Sequence, residues 1–171
     1  NKAELMIHDL KSGSDQQRQV ESITILGDSR KLTKYVPENS VSLIITSPPY
    51  PGDHEYTKHS KLELISQGYA TDVASFRVIK KRMIRGSTTN IYREDNERRQ
   101  VENITEIQKV TAEIESRLKK DGATSGFEKL YTKLVWEYFG GMSSALSECY
   151  KVLKPGGKIA LLVSDSHAFK M

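Results

Sequence analysis

Residues Ser42-Leu43-Ile44-Ile45-Thr46 run without polar alternation into Ser47-Pro48-Pro49-Tyr50, and this junction constrains the fold more than any other stretch. Leu43, Ile44 and Ile45 form an apolar run rich in β-branched side chains, the pattern of a strand buried on both faces of a parallel sheet. Pro48 and Pro49 cannot donate a backbone N–H, so the ladder must stop there. Each proline fixes its own φ and keeps the preceding residue out of the helical region. The expected product is a stiff loop at the carboxyl end of a parallel strand, where open α/β sheets bind ligands. A strand-ending turn carrying a surface tyrosine satisfies the same pattern.

Upstream, Ile23-Thr24-Ile25-Leu26 reads as another strand, closed by Gly27-Asp28-Ser29. Asp28 either caps a helix over 30–36 or serves a ligand, and the two roles are compatible. Pro37-Glu38-Asn39-Ser40 turns the chain into the strand at 42–46. Near the other end, Leu153-Lys154-Pro155-Gly156-Gly157-Lys158 breaks a helix and leads into a buried strand, Ile159-Ala160-Leu161-Leu162-Val163.

Ser47-Pro48-Pro49-Tyr50, with Gly27-Asp28 at its spacing upstream, resembles the catalytic motif of the S-adenosylmethionine-dependent DNA amino-methyltransferases. The Leu-Lys-Pro-Gly-Gly turn is similar to that of class I methyltransferases generally. The resemblance covers about residues 21–60 and 140–165, and it implies a Rossmann-like α/β core. The serine form of the motif implies N4-methylcytosine as product, with N6-methyladenine second. It further implies that the Ser47 side chain and the Pro48 carbonyl accept from the target amine. Pro49 holds the loop, Tyr50 stacks on a flipped base, and Asp28 and Ser47 face the cofactor. An amine inside the duplex is out of reach, which is why flipping is needed. RNA and protein amine methyltransferases carry related loops. A non-catalytic DNA-binding or assembly module that keeps the loop as scaffold is a reading of another class.

Direct transfer to an amine needs no covalent enzyme intermediate, so Cys149, the single cysteine, has no nucleophilic task and reads as core. One cysteine allows no internal disulfide, consistent with a reducing, cytoplasmic setting, and the resemblance implies a bacterial or archaeal one. The 171 residues suit one domain, and 37% hydrophobic with 28% charged content suits a globular one. No apolar run is long enough for a membrane span. The net charge of +4 and pI near 9.0 permit a polyanionic partner without requiring one.

Residues 1–19 are polar around Gly13-Ser14-Asp15-Gln16-Gln17 and carry no assigned function. After Tyr50, Asp53, His54, Glu55, Tyr56 and His59 offer potential ligands. His54 and His59 are five apart and do not share a helix face, so no metal site is read. His54 and Tyr56 are placed at the target-base pocket, with a polar surface loop as the alternative. Residues 60–139 read as a helical insertion used for DNA recognition or assembly, beginning with a helix over Leu62–Gly68. Arg77, Lys80, Lys81, Arg82 and Arg85 form a basic run over 73–85 with no acid among them. That run suits either phosphate contact or a solvated helix face. Gly86–Asn90 reads as a loop free to move.

Apolar spacing from Val101 to Leu118 predicts a helix ended by Asp121-Gly122. A second helix begins with Ser125 and Glu128 as a capping box. Its expected buried stripe is Phe127, Leu130, Leu134, Tyr138, Met142, Leu146, Tyr150 and Leu153, with Gly140-Gly141 as a kink or break. Ser164–His167 follow the last strand at a site-like position. The glycine-rich cofactor turn of the family is missing, since no Gly-x-Gly occurs in the chain. The chain is therefore expected to be the catalytic part of a split or longer enzyme, partnered by its remaining part or by a restriction enzyme.

Overall fold

The computed structural model describes residues 2–13, 21–52, 55–122 and 126–163. In chain order the elements are α1 (Lys2–Gly13), β1 (Val41–Thr46), α2 (Tyr56–His59), α3 (Lys61–Ser66), α4 (Val73–Arg82), α5 (Thr105–Lys120), α6 (Tyr131–Val152) and β2 (Leu153–Leu161). Short 3-10 turns lie at Ser29–Lys34, Thr88–Asn90, Glu97–Gln100 and Glu128–Leu130. The chain thus mixes helix with a two-strand parallel sheet, compatible with the α/β class. Among the described residues no helix is long and apolar enough to cross a membrane.

β1 and β2 pair in parallel, and residues 47–152 form the crossover between them. Leu43 to Thr46 face Lys158 to Leu161 in steady register, while Val41 faces Leu153. Four residues of β2, Lys154 to Gly157, therefore stand against Ser42 alone. The expected Pro-Gly-Gly turn exists as this bulge, with Gly156 at φ 79°, a left-handed conformation that glycine adopts without a Cβ clash.

α6 is the scaffold. It packs on the Ser29–Lys34 turn, on the Glu97–Gln100 turn and on α5. Ile114 of α5 and Leu134 of α6 are fully buried, and Val101, Ile107 and Trp136 make one apolar cluster. α5 starts four residues later than its apolar spacing begins and ends as expected, with Gly122 at φ 62°.

Several expectations fail. The strand expected at 23–26 has no pairing partner among the described residues, and Ile23 and Leu26 are 76% and 82% exposed. β1 is not buried on both faces: Ile44 is half-buried, but Leu43 and Ile45 are 52% and 74% exposed. Ile159, Leu161, Leu162 and Val163 are exposed too, because the described residues supply no second layer over the sheet. The helix expected over 30–36 is a 3-10 turn, interrupted at Lys31 (φ −140°).

α6 runs unbroken through Gly140-Gly141, and the insertion boundary drawn at 139 falls inside it. The glycines serve packing. A Cβ on Gly140 would stand 2.1 Å from the Glu97 carbonyl oxygen, and one on Gly141 would stand 3.1 Å from Ile84 Cγ2. Ser125 and its half of the expected capping box lie outside the described residues, as do Ser14–Gln17, Asp53, His54 and Ser164–His167.

Candidate functional site

β1 delivers Ser47-Pro48-Pro49-Tyr50 to a cavity of about 1050 Å³. Leu26, Gly27, Asp28 and Ser29 line it with this loop. So do Tyr56, Leu64 and Tyr69, with Ile79, Arg82, Met83 and Ile84 from α4 and its exit. Residues read from sequence as catalytic, cofactor-facing and base-facing thus meet in one space. Leu64 and Tyr69 also line it, and no motif announced them.

The loop is held at several points. The Thr46 carbonyl accepts from Leu162 N–H at 2.9 Å, tying the end of β1 to β2. The Pro49 carbonyl accepts from the Tyr138 hydroxyl at 2.8 Å, and Tyr50 N–H donates to the Tyr56 hydroxyl oxygen at 3.2 Å. Among the described residues, the Ser47 hydroxyl and the Pro48 carbonyl have no hydrogen-bond partner. Two acceptors are thus left unengaged, among the described residues, on an otherwise anchored loop.

Asp28 does cap. Its Oδ1 accepts from Arg30 N–H at 3.0 Å, and its two oxygens accept from Arg30 Nε at 3.0 Å and Nη2 at 2.8 Å. Burial raises the Asp28 carboxyl, but the Arg30 hydrogen bonds outweigh it and hold the group below its ordinary value. Arg30 also donates to Glu97 at 3.0 Å and to the Arg82 carbonyl at 2.9 Å. One guanidinium thus joins the Asp28 wall to the end of α4 and to the Glu97 turn. Sequence spacing does not reveal this hub, because its partners lie 52 and 67 residues away.

The basic run is not one surface. Lys80 points inward, donating at 2.9 Å to Glu55, a buried carboxylate that also accepts from the Thr57 hydroxyl. Arg85 pairs through two hydrogen bonds, 2.7 and 2.9 Å long, with Asp95, and both residues are half-buried. Lys81 reaches Glu94 at 3.1 Å, and Lys81 and Arg85 both lie over the Tyr92 ring. The acids that neutralise these cations come from other segments, so a run without internal acid proved uninformative. Arg77 is exposed and Arg82 lines the cavity; among the described residues neither side chain has an ion-pair partner.

The expected mobile loop Gly86–Asn90 is also packed in. Ser87, Thr88 and Asn90 are buried, and the Gly86 carbonyl accepts from Gly52 N–H at 2.9 Å. Cys149 is half-buried, and burial followed by the neighbouring Glu148 charge raises its thiol, the opposite of an activated nucleophile.

The donor set partly fits S-adenosylmethionine. Asp28 and Leu26 both line the cavity, a polar and an apolar group, and the cavity is roomy, but both Asp28 oxygens already accept from Arg30. The fit ends there, since the chain holds no Gly-x-Gly turn for close backbone approach. Comparison with protein-family models, with curated proteins and with solved structures finds no match.

Proposed function

We propose that this chain is the catalytic part of an S-adenosylmethionine-dependent DNA methyltransferase acting on an exocyclic amine, cytosine N4 first and adenine N6 second. The observation that carries the reading is that Ser47 Oγ and Pro48 O have no hydrogen-bond partner among the described residues, and that Ser47, Pro48, Tyr50 and Asp28 line one cavity. The finer fold, a Rossmann-like core, is supported by the parallel β1–β2 pair and the helical crossover between them. The uncovered Leu43 and Ile45 are what a second layer would bury.

An exocyclic amine is a weak nucleophile because its lone pair is spread into the ring. Ser47 and Pro48, accepting from both amine hydrogens, favour a pyramidal nitrogen and stabilise the charge that develops on it. Tyr50 gives the base a stacking face, and the stiff prolines hold these groups at fixed separation. S-adenosylmethionine supplies an electrophilic methyl on a sulfonium. Arg82, in the cavity lining and without an ion-pair partner among the described residues, suits a phosphate flanking the flipped base.

The test is full-length protein with tritiated S-adenosylmethionine and mixed duplex DNA, digested to nucleosides. Label is expected in N4-methylcytosine; label in N6-methyladenine keeps the mechanism and changes the base. Ser47→Ala and Tyr50→Ala should each lower the rate by about 100-fold or more while the fold survives. No label in DNA from folded, cofactor-loaded protein would refute the reading.

A further inference from the structure

The peptide group joining Pro49 to Tyr50 is gripped at both ends by tyrosine hydroxyls. Tyr138 donates to its carbonyl at 2.8 Å, and its N–H donates to Tyr56 at 3.2 Å. A peptide group is planar, so holding its two polar atoms fixes the orientation of the whole plane. The prolines make this hold decisive. Their rings lock φ at 48 and 49, so the loop's remaining freedom lies mainly in the ψ angles and in φ of Tyr50. Fixing the Pro49–Tyr50 plane removes ψ of Pro49 and φ of Tyr50 together. Neither proline has an N–H with which the loop could anchor itself.

Tyr138 sits about a third of the way along α6, 89 residues from Pro49, and is only 7% exposed. Its ring packs edge-on against Phe139 at 5.1 Å, a contact that phenylalanine would make equally well. The hydroxyl is what packing does not require. Burial raises the Tyr138 phenol above its ordinary value, so it remains a protonated donor near neutral pH.

We propose that Tyr138 is a positioning residue for the Ser47–Tyr50 loop, aiming the Ser47 hydroxyl, the Pro48 carbonyl and the Tyr50 ring into the cavity through the Pro49–Tyr50 peptide, with Tyr56 completing the grip. This rests on the methyltransferase reading for its consequence, though not for its geometry. Tyr138 itself does not line the cavity. It acts through the loop.

The experiment compares full-length wild type with Tyr138→Phe, Tyr56→Phe and the double variant. In the methyl-transfer assay, Tyr138→Phe should lower kcat roughly 10- to 100-fold, the scale of small misplacements of reacting groups. KM for DNA and for S-adenosylmethionine should stay within about twofold, since uniform binding is untouched. Adding the second substitution should cost less than it costs alone, because both release one peptide plane. An unchanged kcat, or a kcat loss that only tracks loss of folded protein, overturns the proposal. A second measurement needs no reaction: amide exchange at Tyr50, followed by NMR without cofactor or DNA. Exchange should quicken in Tyr138→Phe, and an unchanged rate overturns the proposal. A wild type that labels no DNA sinks the methyltransferase reading alone, while the exchange rate still decides the grip.

Discussion

Gly140 and Gly141 are adjacent, yet they face different neighbours. At Gly140 an added Cβ meets backbone, the Glu97 carbonyl at 2.1 Å, and backbone on a packed turn cannot step aside cheaply. At Gly141 the nearest atom is a methyl of Ile84 at 3.1 Å, which needs to give only a little. Both substitutions gain helix propensity over glycine, by up to about 1 kcal/mol. Overpacking costs about 1–3 kcal/mol and dominates where the obstacle is rigid. Gly140→Ala should therefore destabilise the fold clearly, and Gly141→Ala should be near neutral, as urea denaturation of the two variants will show. Equal effects would mean that the Glu97 turn yields. The same turn explains a buried acid: Glu137 on α6 accepts from Glu97 N–H at 2.7 Å, capping a turn whose own N-cap residue, Asn96, makes no side-chain cap.

At the scale of elements, the phase of α6 and the face of α4 were both misjudged from sequence, for different reasons. The expected stripe on α6 stepped four residues at a time, and each such step overshoots a full turn by about 40°. Leu134 and Tyr138 are buried as expected, but four steps from Leu134 bring Tyr150 about 160° round the helix, where it is 81% exposed. The real buried face passes through Leu134, Tyr138, Gly141, Ala145, Glu148 and Val152. On α4 the structure shows a capping box closed by Asp72 and Ser75, which was not singled out from sequence. Which cations of the 73–85 run face solvent depended on Glu55, Glu94 and Asp95, supplied by other segments. Lys80→Ala leaves the Glu55 carboxylate buried without its nearest cation and should cost about 3 kcal/mol of stability. Reversing charge at Arg77 and Arg82 should leave stability alone and reduce the salt slope of DNA binding by about 1–2. Filter binding across a salt series measures it, and an unchanged slope would return both residues to ordinary surface.

Across the whole molecule, the segment before β1 is tied to the helical body through the Ser29–Lys34 turn packed on α6, and Glu148 supplies part of that tie. Its carboxylate accepts from Thr33 N–H at 3.0 Å, from the Thr33 hydroxyl at 2.7 Å and from Lys151 at 2.6 Å. The Lys151 hydrogen bond first, and then those of Thr33, lower its pKa from the ordinary 4.5 to about 2. A depressed acid stabilises the fold above its unfolded pKa and loses that contribution as pH falls toward the folded value. Stability should therefore decline between about pH 4.5 and about pH 2. Glu148→Gln should be less stable than wild type at pH 7, and the gap should narrow through that window in denaturation series. A gap independent of pH would remove Glu148 from the acid response. The sequence by itself determined where backbone rules act locally: a strand stopped by two prolines, the Pro-Gly-Gly turn, the α5 helix ended at Asp121-Gly122, and the Ser-Pro-Pro-Tyr loop at a strand's carboxyl end. Each depends on φ limits, missing N–H groups or spacing within a few residues. Only the tertiary structure decided which apolar faces are covered, which cations point inward, and which hydroxyls grip the loop. Those depend on partners such as Tyr138 and Pro49, far apart in the chain and brought together by packing on α6.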